Sequence, residues 1–335
     1  MPTPPRLLRR LVIGPLVVAV ELLVMAASPL VLVVALLLSP LFGGLRPVRM
    51  AVIAVSLLAH HLVAIAACLR LWLARPGPVG TEPEGVRDEY YAVLRGLVEA
   101  SYRTIVRATR VVVRLCDSEE AEEVLRSPRP VVVLSRHAGE GDTLLAARDL
   151  LSRYERRPRV VMHRLLRLDP VIDVLGSRLP NRFIDPHGGD IEGEIAELAR
   201  DMTARDALLI FPEGGNSTAS RRRRGVERLE QAGHHQEAGW ARSMRYLSAP
   251  RPGGALAAID AAPDAVVIFV AHAGFPCSLG EVWRLLPHPQ TVELRMWAVD
   301  ARDVPADQEA AIGWLFGWWK TLDDWVSERY DAKAA

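Results

Sequence analysis

Val131-Val132-Val133-Leu134-Ser135-Arg136-His137-Ala138-Gly139-Glu140-Gly141-Asp142 passes from a β-branched apolar run into a turn that carries two glycines. The run reads as a buried strand, and residues 143–153 read as the helix after it. His137 and Asp142 therefore fall at the carboxyl end of a strand, where open α/β sheets build their sites. A second stretch follows the same grammar: Leu208-Leu209-Ile210-Phe211-Pro212-Glu213-Gly214-Gly215-Asn216-Ser217 ends an apolar run in a turn with a carboxylate and two glycines. Short apolar runs at 111–115, 160–162 and 266–271 read as further strands, and 191–203 as another helix. The alternation predicts an α/β fold with a mostly parallel central sheet flanked by helices.

The front of the chain has a different character. Residues 11–41 are almost wholly apolar apart from Glu21, and 51–69 form a second apolar run interrupted by Ser56, His60 and His61. Each meets or nearly meets the roughly 18–20 residues that cross a bilayer. Phe42-Gly43-Gly44-Leu45-Arg46-Pro47-Val48-Arg49 between them is rich in breakers and long enough only for a tight turn. An N-terminal transmembrane helical hairpin is therefore expected over 1–75, a linker over 76–85 beginning at the Pro76-Gly77-Pro78 stretch, and the α/β domain over 86–335. A hairpin that enters one leaflet and returns is the alternative. A cleaved secretory signal fits less well, because its apolar core is roughly half as long. Glu21, His60 and His61 either mark a polar site within the membrane or simply face one another.

Residues 1–75 hold seven arginines and one acid, and the remainder has 34 basic against 39 acidic side chains. A basic, apolar front on a mildly acidic body suits an anchor integral to the cell membrane, with the catalytic domain facing the cytoplasm. Nothing in this balance points to nucleic acid. The three cysteines, Cys68, Cys116 and Cys277, have no metal or redox spacing and read as reduced and structural. His234, His235 and His272 likewise lack a spacing that supports a metal site.

Five residues apart across a strand-to-helix turn, an aspartate can fix the tautomer of a histidine so that its other nitrogen takes a proton. This is the base half of a catalytic triad with no enzyme nucleophile. Taken alone the HxxxxD spacing arises readily by chance, and Pro-Glu-Gly-Gly is an ordinary turn. Together the two stretches place a histidine, an aspartate and a glutamate at the same kind of strand end. There Glu213 is expected to bond an acceptor hydroxyl or a basic partner, and the backbone at Gly214 and Gly215 to admit an anion. Trp314, Trp318, Trp319 and Trp325 make an aromatic face that reads first as core packing and second as bilayer docking.

These residues give the chain a resemblance to the glycerolipid acyltransferases, whose HxxxxD motif is matched by His137 and Asp142 and whose FPEG motif is matched by Phe211, Pro212, Glu213 and Gly214. The lysophosphatidic acid and lysocardiolipin acyltransferase branch is the most similar. His163-Arg164 before Leu166 and Pro170 resembles its basic pair, Phe183-Ile184-Asp185 its FIxR block, and Pro250-Arg251 with Gly253 its PRxxG element. Val304-Pro305 leading to Trp314 and Lys320 resembles its closing helix. The resemblance implies His137 and Asp142 as the catalytic pair and Glu213, Gly214, Gly215, Arg182, His163, Arg164 and Arg251 as substrate contacts. It implies no metal and no cofactor, with acyl-CoA or acyl carrier protein as the thioester co-substrate. The partners it implies are a lysophospholipid acceptor, the acyl donor and membrane lipids. The chain departs from the pattern at Pro186, at Gly215-Asn216 and at Arg136. The first two departures remove basic residues associated with the acceptor's phosphate, for which Arg182, His187 or the run Arg221-Arg222-Arg223-Arg224 are the available substitutes.

The expected reaction is direct transfer of a fatty acyl group to a hydroxyl such as that of 1-acyl-glycerol-3-phosphate, in phospholipid biosynthesis or remodelling. Two rivals are weighed beside it. Gly215-Asn216-Ser217-Thr218-Ala219 nearly spells a serine hydrolase elbow but lacks its final glycine. A catalytically degenerate lipid-binding scaffold would account for the lost basic positions but not for an intact His137, Asp142 and Glu213.

Overall fold

The computed structural model describes residues 3–75, 77, 80, 82–185, 188–275, 278–286 and 288–334. Pro186, His187 and Cys277, weighed above, lie outside the described residues, as does part of the expected linker.

Seven strands form one sheet in the order β1-β7-β6-β2-β5-β3-β4. They are β1 (Val111–Cys116), β2 (Val131–Ser135), β3 (Arg157–His163), β4 (Arg182–Ile184), β5 (Asp206–Ile210), β6 (Val266–Ala273) and β7 (Gln290–Asp300). β2 lies parallel to both β5 and β6, and β3 lies parallel to β5 and β4; β7 runs antiparallel to β6. The fold is thus α/β with a mostly parallel sheet flanked by helices, as the sequence pattern predicts. β2, β5 and β6 are buried along their whole length, which is why they read as continuous apolar runs. Two strands escape that reading. β4 is only three residues long, and β7 alternates, burying Val292, Leu294 and Met296 between the partly exposed Glu293, Arg295 and Trp297.

By packing, the chain divides into two compact units. The first comprises 1–112, 161–189 and 280–290; the second comprises 113–160, 190–279 and 291–335.

In the first unit, helix α1 (Gly14–Leu38) continues through a short 3-10 turn to Gly43, whose φ of 72° reverses the chain, and α2 (Arg46–Ala74) returns. Both stretches are long and apolar enough to cross a membrane. Large side chains such as Leu11, Leu23, Leu37 and Leu41 point away from the protein, each more than 70% exposed. Helix α3 (Glu84–Thr109) packs along α2: Arg75 pairs with Glu89 at 2.9 Å near one end, and Arg49 donates to the carbonyl of Ala108 at 2.8 Å near the other. Several polar residues of the hairpin face partners, although the buried His60 Nδ1 has none among the described residues. His61 Nδ1 meets Glu21 Oε1 at 2.7 Å and its Nε2 meets Asp169 at 3.2 Å. Arg9 and Arg10 both reach Asp173, at 2.7 and 2.9 Å.

The second unit is built on one core, in which Val131, Val133, Leu209, Ile268, Val270, Leu294 and Met296 from four strands meet Leu125, Leu150 and Tyr154. Its long helix Gln308–Ala334 covers β6. Phe269 stacks on Trp318 with ring centroids 4.8 Å apart and meets Trp314 edge-on, while Trp319 and Trp325 are buried. The aromatic face of this helix therefore serves the core.

Candidate active site

β2 and β5 are neighbours in parallel register, Leu134 beside Ile210, so the two motif turns leave the sheet at the same edge. His137 stands in the first turn and is held from four directions. Its N–H donates to Glu213 Oε1 at 2.8 Å, and its carbonyl accepts from the N–H of Ser217 at 2.7 Å. The ring lies on Phe211, centroids 4.5 Å apart, and Nδ1 faces the Asp142 carboxylate at 3.1 and 3.2 Å. With Nδ1 occupied, Nε2 is the nitrogen left to meet a substrate proton.

Asp142 is 2% exposed, and Oδ2 also accepts from the N–H groups of Ala138 at 2.6 Å and Gly139 at 3.1 Å. Burial opposes its ionisation, but the hydrogen bond from His137 and the nearby His272 imidazole outweigh burial and hold the carboxyl well below the usual carboxylate range. Asp142 is thus a fixed anion against which an imidazolium at residue 137 is stabilised. Gly141 is required where it stands, since a Cβ there would meet the Phe275 ring at 2.2 Å.

Glu213 occupies a different place from the acceptor-facing one expected of it. It is buried, with Oε1 on the His137 N–H and Oε2 on the Ser248 N–H, both at 2.8 Å. The side chain brackets two main-chain segments instead of presenting oxygen to a ligand. Burial pushes its carboxyl up, opposed by the two N–H donors and the charge of Arg136. Ser248 is fixed in turn: the buried Asp323 accepts from the N–H groups of Arg245, Tyr246 and Leu247 at 2.7–2.8 Å, and Trp319 donates to the Ser248 carbonyl at 3.1 Å.

Of the remaining expected contacts, Gly214 and Gly215 lie in the second turn at φ of 69° and 148°, a backbone that side chains resist. Arginines cover both. A Cβ at Gly214 would lie 2.9 Å from Arg251 Cζ, and one at Gly215 would lie 1.7 Å from Arg221 Nη1. Burial and then the charges of Arg228 and Arg221 depress Arg251, so three guanidinium groups share this region. Among the described residues no ion pair joins any of the three to an acid. Arg221 is the member of the four-arginine run that reaches the turn, whereas Arg222 points to the Tyr246 carbonyl.

His163, Arg164 and Arg182 belong to the first unit and have local partners there. His163 Nδ1 accepts from the Leu165 N–H at 3.1 Å, Arg164 pairs with Asp185 at 2.7 Å, and Arg182 sits on β4 beside Val161. Ser217, the nucleophile of the hydrolase alternative, donates to the Tyr246 carbonyl at 2.9 Å and meets Ser248 Oγ at 3.0 Å. No histidine partners it among the described residues, so the base that a serine nucleophile needs is not supplied.

One group at the site was weighed in the sequence only as a metal ligand, and its place beside Asp142 was not legible there. His272, near the end of the buried strand β6, is 2% exposed, and its Nε2 lies 3.6 Å from Asp142 Oδ2.

No curated protein matches the chain. Residues 118–271 match the family described as Acyltransferase, and His137, Asp142 and Glu213 lie within that stretch.

Proposed function

We propose that the protein is a membrane-anchored O-acyltransferase that moves a fatty acyl group from a thioester, acyl-CoA or acyl carrier protein, to a hydroxyl of a lysophospholipid such as 1-acyl-glycerol-3-phosphate. The observation that carries this reading is the His137 imidazole set against the buried Asp142 carboxylate inside the acyltransferase stretch.

His137 Nε2 takes the acceptor's proton as its oxygen attacks the thioester carbonyl. Asp142 stabilises the imidazolium, and the thiolate then departs, taking up a proton as the imidazole returns to neutral. A thiol with a pKa of about 8.5 leaves readily, so most of the demand falls on activating the acceptor. The N–H groups of His137, Ala138, Gly139 and Gly214 are all committed to internal partners. Gly215 or a nearby guanidinium is therefore the better candidate for stabilising the oxyanion. Arg251, Arg221 and Arg228, without acidic partners among the described residues, supply positive charge for an anionic head group in place of the basic positions this chain lacks.

The exposed leucines of the hairpin supply the anchor. Helix α3 carries eight charged side chains from Glu84 to Arg107 and lies along α2. A fully spanning α2 would draw those charges into hydrocarbon, where each is costly. The packing favours a hairpin that enters one leaflet and returns; the basic, apolar front of the chain supports a cell membrane with the catalytic residues on the cytoplasmic side.

Replacing His137 by alanine should abolish acyl transfer to lysophosphatidic acid in detergent or nanodiscs while the protein still folds and unfolds in one cooperative thermal transition. Transfer retained in that variant would refute the reading.

A further inference from the structure

His272 is completely enclosed, and neither ring nitrogen has a hydrogen-bond partner among the described residues. An imidazole buried without partners costs on the order of 1–3 kcal/mol that an aliphatic side chain would avoid. A merely space-filling histidine is therefore a poor account of this position. The surroundings supply a partner. Asp142 Oδ2 lies 3.6 Å from Nε2, slightly beyond hydrogen-bond length, and such bonds commonly tighten only when substrate binds. A small cavity of about 30 Å³ adjoins both groups, bounded also by Ser135, Asp149 and the apolar side chains of Val270 and Met296, so the rings have room to close that gap.

We propose that His272 is a positioning residue for the transfer described above: it donates its Nε2–H to Asp142 Oδ2 and thereby leaves Oδ1 aimed at Nδ1 of His137. The inference rests on that reading of the reaction. The groups facing His272 are Asp142 from helix Glu140–Arg148, Arg136 from the end of β2, Asp149 across the cavity and the ring of Phe275. Burial keeps the His272 imidazole neutral, the charge of Arg136 acts in the same direction, and Asp142 opposes them. A neutral ring can donate one proton to the carboxylate without competing with His137 for its charge. A donor on Oδ2 also weakens the carboxylate as a base, so the proton taken from the acceptor stays on His137 and remains available to the departing thiolate.

The test uses the full chain in nanodiscs, with ring-¹⁵N histidine, comparing wild type with His272→Leu, His272→Gln and His272→Asn. The His137 resonance is assigned by its loss in the alanine variant. Removing the donor leaves Asp142 more basic, so His272→Leu should raise the His137 titration midpoint by about one unit. It should lower kcat by roughly ten- to a hundredfold with KM changed less than about threefold. Glutamine places an amide nitrogen near Nε2 and should restore both; asparagine places it near Nδ1 and should not. If the leucine variant does not fold, the contrast between glutamine and asparagine decides the matter. An unmoved His137 midpoint in His272→Leu, or equal behaviour of glutamine and asparagine, overturns the proposal. The midpoint is read without substrate, so it separates failure of the positioning role from failure of the transfer reaction, which the His137→Ala assay decides.

Discussion

Exchanging Glu213 for glutamine separates two meanings of the second motif. In the structure the carboxylate holds two main-chain N–H groups at 2.8 Å, one of them that of His137. Glutamine retains one acceptor oxygen and turns an NH₂ toward the other N–H. The change removes one charge-assisted bond and leaves a buried donor unsatisfied, a cost of about 2–4 kcal/mol. Because burial already penalises the ion, the neutral amide recovers part of that cost, and the lower end of the range is expected. For a unit of this size that corresponds to a fall in unfolding temperature of about 4–8 °C. The turn bearing His137 loses its tether, and a displacement near 1 Å lowers turnover by about a hundredfold. The acceptor's KM should change little, since Glu213 does not face the ligand. Differential scanning fluorimetry and steady-state kinetics on the same preparation measure all three quantities. An unchanged unfolding temperature and kcat with a raised acceptor KM would refute the bracket and make Glu213 a substrate contact after all.

Ser217→Ala should retain activity within about fivefold, the worth of one hydrogen bond, and a fluorophosphonate should not label the wild-type serine; labelling together with total loss would favour a hydrolase. Asp142 has a folded-state carboxyl below its ordinary value, so its stabilising contribution is present above roughly pH 4 and is lost as pH falls through the folded value. The stability advantage of wild type over Asp142→Asn should accordingly stay constant from neutral pH down to about pH 5 and shrink below about pH 4, in calorimetry across that range; an advantage that grew on acidification would contradict the assignment. A cysteine placed at Gly44, in an otherwise cysteine-free background, should resist aqueous maleimide from both sides of sealed vesicles if the hairpin tip is buried in one leaflet; ready labelling from the side opposite the catalytic unit would show a full crossing.

The parallel sheet was legible because its central strands are buried on both faces, and such strands are continuous apolar runs in any register. β7 was harder because it alternates, and β4 because three residues carry no period. The paired motifs were legible since each is a local event, a strand ending in a turn. Three features were not local. The Glu213 bracket depends on Ser248, which sits in a loop with no signature of its own. The arginines over Gly214 and Gly215 come from separate helix starts, and a run of four arginines gives no sign which member turns inward. His272 stood just past the apolar run 266–271 in the sequence and was weighed only as a metal ligand, and only the register of β6 beside β2 brings it to Asp142.

Asp323 gives the catalytic turn a dependence on timing. It fastens residues 245–247, which carry Ser248 to Glu213 and so to His137. A nascent polypeptide that has emerged only as far as β7 already contains both motifs, yet lacks the acid that ties them together. On the proposed function, competence for acyl transfer should therefore arrive late in translation, well after the two apolar helices have been synthesised.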